Sequence, residues 1–216
     1  GTKDTLEIPY ITSDSLTLAL LSQELGKNIG KAKFPSHISK TILYGHPSDS
    51  VLKRMMQVSD NFLAEQLLIT CAAARWDTLN TQKVRTYVLD SLLNGLQQPP
   101  RWVDGSGLSR YNLFTPQSMV HVLLKMYREI PKKRLFSFFA IGGVSGTLEN
   151  WYPGDPNPYV YAKTGSLGNN HCLSGYLLTK SGKTLVFSFM NNHFRLPSRR
   201  VKQRMQKVLK VLRDNY

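Results

Sequence analysis

The stretch Tyr159-Val160-Tyr161-Ala162-Lys163-Thr164-Gly165-Ser166-Leu167-Gly168 decides how the rest of this chain is read. Its first four residues alternate aromatic with small or β-branched side chains, the pattern of a half-buried strand. A lysine, a hydroxyl and a glycine then follow in succession. On a strand, Lys163 and Thr164 point to opposite faces. Gly165 clears space beside them, since a glycine in or ending a strand often marks the close approach of a ligand or another backbone. Taken alone, such a tripeptide is most simply a surface lysine before a turn.

Downstream, Gly168-Asn169-Asn170 is a polar turn, followed by strands over about 172–179 and 183–190 joined by a tight Ser181-Gly182 hairpin. Three sequential strands with short connections predict an antiparallel meander packed by helices on at least one face. From Ser198 to Tyr216, Val201, Met205, Val208, Leu209 and Leu212 recur at spacings of three and four among seven basic residues. That is one apolar stripe of an amphipathic helix with a solvated basic back. Docking on the core explains it without a partner.

Upstream, Ser13-Asp14-Ser15 opens a leucine-rich helix that stops near Gly26 or Gly30. Residues 31–44 read as loop with one short strand. Pro47-Ser48-Asp49-Ser50 starts a second helix over Val51–Val58, which Ser59-Asp60-Asn61 interrupts before a third runs to about Ala74. On this reading Ser59 and Asn61 suit a helix cap, and Glu65 falls in the early part of that helix, where negative charge is favoured. Another helix spans about Thr81–Leu96. Asp104-Gly105-Ser106-Gly107-Leu108-Ser109-Arg110 is a compact turn, and Thr115-Pro116 starts a helix to about Arg128. Residues 131–158 read as irregular.

The bulk composition sets limits on this reading. A chain of 216 residues with 41% hydrophobic residues and no internal repeat predicts one globular domain over 1–216. No apolar run approaches the length of a membrane span. Gly1 in place of Met suggests a processed or engineered start. Cys71 sits in an apolar helical run and reads as a small core residue; pairing with Cys172 cannot be read from spacing. The net charge of +14 makes an anionic neighbour plausible. Binding to nucleic acid would be strongly salt-dependent, but no stacking platform or known motif supports it. The histidines have no ligand spacing with the cysteines, so no metal site is expected, and without a glycine-rich phosphate loop of the required spacing no other cofactor is expected either.

Ser59-Asp60-Asn61 and Lys163-Thr164-Gly165 together match two of the three motifs of penicillin-binding proteins and class A β-lactamases. With their flanks, SDNFLAEQLL (59–68), DGSGLSRYN (104–112) and AKTGSLGNNHCLSGYL (162–177), they give a resemblance. The chain from about Ser13 onward resembles the D-alanyl-D-alanine carboxypeptidase/endopeptidase family, the class C low-molecular-mass penicillin-binding proteins. The resemblance implies an α+β, β-lactamase/transpeptidase-like fold, with an antiparallel sheet flanked by helices and incomplete at its N-terminal side. It also implies a serine-type enzyme of peptidoglycan metabolism that acts on stem peptides, binds β-lactams and works in the periplasm or elsewhere outside the cytoplasm.

The resemblance assigns roles residue by residue. Ser59 would relay a proton to the departing amine. Asn61 would hold the substrate amide and help orient the active-site lysine, and Lys163 would supply positive charge. Thr164 and Ser166 would bond the terminal carboxylate, with the Ser166 N–H forming half of an oxyanion hole. A substrate strand would lie antiparallel along 163–166, beside Gly165. The family places the Asp104 loop close to the cleft.

The third motif, the Ser-x-x-Lys nucleophile, is where the sequence departs. Ser50-Val51-Leu52-Lys53 has the spacing, but nine helical residues would put Ser59 roughly 13–14 Å along the axis from Ser50 and on another face. The expectation is a C-terminal part of such an enzyme without its nucleophile. The rival is a non-catalytic module that binds peptidoglycan or an anionic polymer. The missing elements predict an exposed sheet edge and self-association through it.

Overall fold

A computed structural model of the chain describes residues 11–33 and 44–216. The short strand expected within 31–44 falls largely outside them. The chain divides into two compact units, Gly1–Tyr44 and Gly45–Tyr216. In the first, helix α1 spans Asp14–Leu25. The Ser13 hydroxyl accepts from the Leu16 N–H at its start, and Gly26 ends it in the left-handed region at φ 61°.

The second unit holds helices α2 (Ser48–Val58), α3 (Asn61–Trp76), α4 (Thr81–Tyr87), α5 (Pro116–Glu129), α6 (Lys132–Phe138) and α7 (Ser198–Asn215). Its strands are β1 (Ala140–Ile141), β2 (Val160–Leu167), β3 (Asn170–Leu178) and β4 (Thr184–Asn191). They form one antiparallel sheet in the order β1-β2-β3-β4. The meander is as the alternation predicts, with β1 added in front of it.

Strand alternation gives the sheet two apolar faces. Val160, Ala162, Leu173 and Leu177 pack against Val201, Met205 and Leu209 of α7. Tyr161, Tyr176, Leu178 and Val186 face Leu123 of α5, Leu135, Phe136 and Phe138 of α6, and Leu52 and Met56 of α2. Gly175 is where the two central strands close up. A Cβ there would stand 2.2 Å from the Tyr161 carbonyl oxygen and 2.6 Å from Ala162 Cα.

Several expectations are corrected. The stretch 131–158 is not irregular throughout: it contains α6, β1 and a 3₁₀ turn over Gly146–Leu148. These elements are too short to show a period, and tertiary packing of Leu135, Phe136 and Phe138 sustains α6. The helix from Thr81 ends before Leu96, passing at Val88–Leu92 into a π-helical turn. Cys71 is exposed, because the buried stripe of α3 runs through Leu68 and Ala72; both cysteines are free. In α7 the buried set is Val201, Met205 and Leu209, at spacings of four, while Val208 is 45% exposed.

Candidate active site

Two short turns place the motif residues. Helix α2 ends where Ser59 adopts left-handed angles, φ 61° and ψ 51°, with the Ser59 and Asp60 N–H groups both donating to the Met55 carbonyl. Asp60 then caps α3, its Oδ1 accepting from the Leu63 N–H at 3.1 Å. The N-cap of α3 is thus Asp60, while Ser59 is the C-cap of α2; of the two residues read as suiting a cap, Ser59 serves as one and Asn61 does not. Asn61 is the first residue of α3, and both Ser59 and Asn61 are exposed. The corner is braced from behind. Gln57 Nε2 donates to the carbonyls of Ser137 and Phe139, each at 3.1 Å. A Cβ on Gly146 would lie 2.4 Å from the Gln57 carbonyl oxygen, so the 3₁₀ turn is pressed onto the end of α2.

From β2, Lys163 reaches this corner. Its ammonium donates to Ser59 Oγ at 2.7 Å and to the Thr164 carbonyl at 2.7 Å. Burial lowers the Lys163 pKa from its usual value. Among the described residues no carboxylate pairs with Lys163; Asp60, the nearest in sequence to Ser59, is committed to its cap and to Arg54 at 3.4 Å. The ammonium therefore carries a positive charge that no described carboxylate balances, suited to an anionic ligand.

Thr164 points to the other face, where its hydroxyl donates to Thr147 Oγ1 at 2.9 Å. Thr147 has no signal in the sequence: it lies in the 3₁₀ turn of the stretch that reads as irregular. A Cβ on Gly165 would meet no heavy atom within 4 Å, so the strand is open there. Strand β1 pairs only with Tyr161 and Ala162. Because the Val160 carbonyl accepts from Gly142 on that side, even-numbered residues of β2 turn their backbone groups toward β1. Past the end of β1, Thr164 and Ser166 thus present theirs to an unpaired edge.

The Ser166 hydroxyl lies 2.7 Å from His171 Nδ1. Sequence reading missed this partner by assigning Asn170 to the turn. The hairpin turn is only Gly168-Asn169, with Leu167 paired to Asn170 and Ser166 to His171. Counting back from a two-residue loop would have found it.

Asp104 organises its own loop. Its carboxylate accepts from the N–H groups of Gly107 and Ser109, each at 2.7 Å, and from Asn112 Nδ2 at 2.8 Å. Its role here is therefore internal to the loop. Glu65 ties the loop to α3, accepting from the Ser106 N–H at 2.8 Å, and a Cβ on Gly105 would stand 2.7 Å from the Ala64 carbonyl oxygen. The loop also meets the β2–β3 turn, for a Cβ on Gly168 would lie 3.3 Å from Arg110 Nη2.

Ser50 sits in the first turn of α2, exposed, at the opposite end from Ser59. The helix separates the two along its axis by roughly 13 Å. Ser59, Lys163, Thr164, Gly165 and Ser166 are brought to one edge, and Ser50 is not.

Comparisons with known proteins bear on the family and the fold. Residues 7–215 match the family model described as D-Ala-D-Ala carboxypeptidase 3 (S13). The D-alanyl-D-alanine carboxypeptidase DacB of Haemophilus influenzae is 32% identical over 166 residues, covering 73% of this chain and 33% of that protein. The carboxypeptidase DacB of Mycolicibacterium smegmatis is 30% identical over 151 residues, covering 66% of this chain and 33% of that protein. Among solved structures, penicillin binding protein 4 (dacB) of H. influenzae, complexed with a β-lactam, superposes with a TM-score of 0.73 at 27% identity, over 93% of this chain and 50% of that one. A predatory endopeptidase of Bdellovibrio bacteriovorus has the same fold, with a TM-score of 0.63 at 22% identity over 83% of this chain and 48% of that one. The chain thus spans about a third of the length of these curated relatives.

Proposed function

The chain belongs to the D-Ala-D-Ala carboxypeptidase 3 (S13) family, and on that premise we propose that it forms two walls of the cleft of a serine-type D-Ala-D-Ala carboxypeptidase acting on peptidoglycan stem peptides. The enzyme would bind β-lactams and work outside the cytoplasm, in the periplasm or at the cell wall. One observation carries the reading: the Lys163 ammonium bonds the Ser59 hydroxyl at 2.7 Å across the corner where the two motifs meet.

The chemistry assigns each group a task. A peptide ending in D-Ala-D-Ala lies antiparallel along the free edge of β2, next to Gly165. Its terminal carboxylate is attracted by Lys163 and bonded by the Ser166 hydroxyl, and by the Thr164 hydroxyl once that proton turns from Thr147 to the ligand. The Ser166 N–H, on the same edge, donates to the oxygen that becomes negative during acyl transfer. Ser59 passes a proton to the departing amine, and the adjacent ammonium lowers the cost of its doing so. Asn61 holds the substrate amide. Asp104 acts at one remove, by keeping its loop folded beside the cleft.

The test is equilibrium binding of an acetylated peptide ending in D-Ala-D-Ala to the 216-residue chain. Lys163→Ala should abolish it, and unchanged affinity in that variant would rule the reading out. Fluorescent penicillin followed by a denaturing gel tests the nucleophile. Ser50 should give no covalent band, whereas a band that disappears in Ser50→Ala would assign it that role.

A further inference from the structure

His171 stands directly opposite Ser166 in the β2–β3 register, with Nδ1 at 2.7 Å from the Ser166 hydroxyl. The histidine is 2% exposed, on the sheet face packed against α7, while Ser166 is exposed. The backbone that carries the ring is itself fixed. Asn191 on β4 donates to the His171 carbonyl at 3.3 Å and also reaches Met205 Sδ of α7 at 3.2 Å. A buried ring on a fixed strand thus holds an exposed hydroxyl at the open edge.

A neutral imidazole carries one N–H, and its other nitrogen accepts. With the proton on Nδ1, the ring donates to Ser166 Oγ and leaves the serine O–H for another acceptor. With the proton on Nε2, Nδ1 takes the serine proton, and the hydroxyl offers only lone pairs to a ligand. A carboxylate can only accept, so it binds the first arrangement and is repelled by the second. Burial, with the charge of Lys202 adding to it, holds the imidazolium pKa down to about 4. The ring is therefore neutral near pH 7, and these two arrangements are the ones available.

We propose that His171 is a positioning residue that sets the direction of the Ser166 proton, its Nδ1–H tautomer leaving Ser166 to donate to the terminal carboxylate of a peptide ligand. The inference rests on the carboxylate role proposed above for Ser166 and extends the recognition site one strand into the core.

Calorimetric titration of the chain with the acetylated D-Ala-D-Ala peptide, and with the same peptide amidated at its C-terminus, tests this. His171→Phe keeps an aromatic ring of similar bulk without the ring nitrogens and should weaken the acid severalfold, because the Ser166 hydroxyl can still donate but is no longer held in that orientation. The amide should be far less affected. His171→Gln, whose side-chain N–H can donate in the same place, should recover most of the affinity. In a Ser166→Ala background, His171→Phe should have no further effect. A ¹⁵N spectrum of the wild-type complex should show the proton on Nδ1. An Nε2–H ring in that complex, equal losses on acid and amide, or an undiminished loss in the Ser166→Ala background would overturn the proposal. Acid binding by His171→Phe at the wild-type level would overturn the histidine's role alone. A wild-type chain that binds neither peptide would overturn the carboxylate pocket as well.

Discussion

The Lys163 ammonium and the Ser59 hydroxyl lie 2.7 Å apart, a hydrogen bond between residues separated by 104 positions of sequence. One partner comes from a strand edge and the other from a helix–helix corner. Each is held by machinery of its own: the paired β2–β3 ladder on one side, and the end of α2 braced by Gln57 on the other.

Ser59 occupies left-handed backbone space at φ 61°, which costs a residue with a Cβ roughly 1 kcal/mol. Glycine carries no such penalty. Ser59→Gly should therefore leave stability in urea unchanged or raise it by up to about 1 kcal/mol, while peptide binding falls for want of the hydroxyl facing Lys163. A variant that binds normally yet unfolds more easily would make the hydroxyl a structural tie.

Glu65 is the single side-chain hinge pin between α3 and the Asp104 loop that the described hydrogen bonds reveal. Burial works to raise its pKa, but the hydrogen bonds from Ser106 and Gly105 outweigh that and hold it below the usual carboxylate value. Glu65→Ala should cost about 1.5–3 kcal/mol, the range for a hydrogen bond to a charged group. Amide exchange at Ser106 should accelerate well beyond the global change. Protection of Ser106 equal to wild type would mean that Asp104 alone keeps the loop closed.

Two strand glycines separate function from packing. A side chain at Gly165 meets open space, whereas one at Gly175 collides with the backbone of β2. Gly165→Val should thus fold with near-wild-type stability yet lose the peptide, because its side chain stands where the ligand strand lies. Gly175→Ala should lose roughly 1–3 kcal/mol, as overpacked sites do. Destabilisation by Gly165→Val comparable to that of Gly175→Ala would show that the open edge is filled.

How much of this is legible in the sequence depends on distance along the chain. The β2–β4 alternation, the stripe of α3 and the Thr115-Pro116 start of α5 are local signals, and the structure follows them. The alternation of β2 puts Lys163 and Thr164 on opposite faces before any partner is known. Thr147 and the brace from Gln57 to Ser137 and Phe139 have no local signal, because they arise where a 3₁₀ turn meets the end of a helix remote in sequence. The His171–Ser166 pair was within reach, but placing Asn170 in the turn put His171 outside the strand. Asp60 as the N-cap of α3 was hidden by two suitable neighbours, and only the left-handed turn that makes Ser59 the C-cap of α2 separates them.

The burial of His171 also sets a pH dependence of folding. Its pKa falls from 6.5 to about 4 through burial, with Lys202 contributing. Below pH 6.5 the unfolded chain takes up a proton that the folded chain refuses until about pH 4. The unfolded state therefore binds more protons across that window, and stability falls as pH drops through it. The full gap corresponds to a ceiling of about 3 kcal/mol. His171→Phe removes this site while leaving the carboxylates that titrate in the same range. The stability of wild type relative to His171→Phe should therefore decline steadily in urea titrations from pH 7 to pH 4 and level off below that. Two curves that stay parallel over the whole range would mean that the folded ring takes up its proton as freely as the unfolded one, and that the imidazole is in contact with solvent.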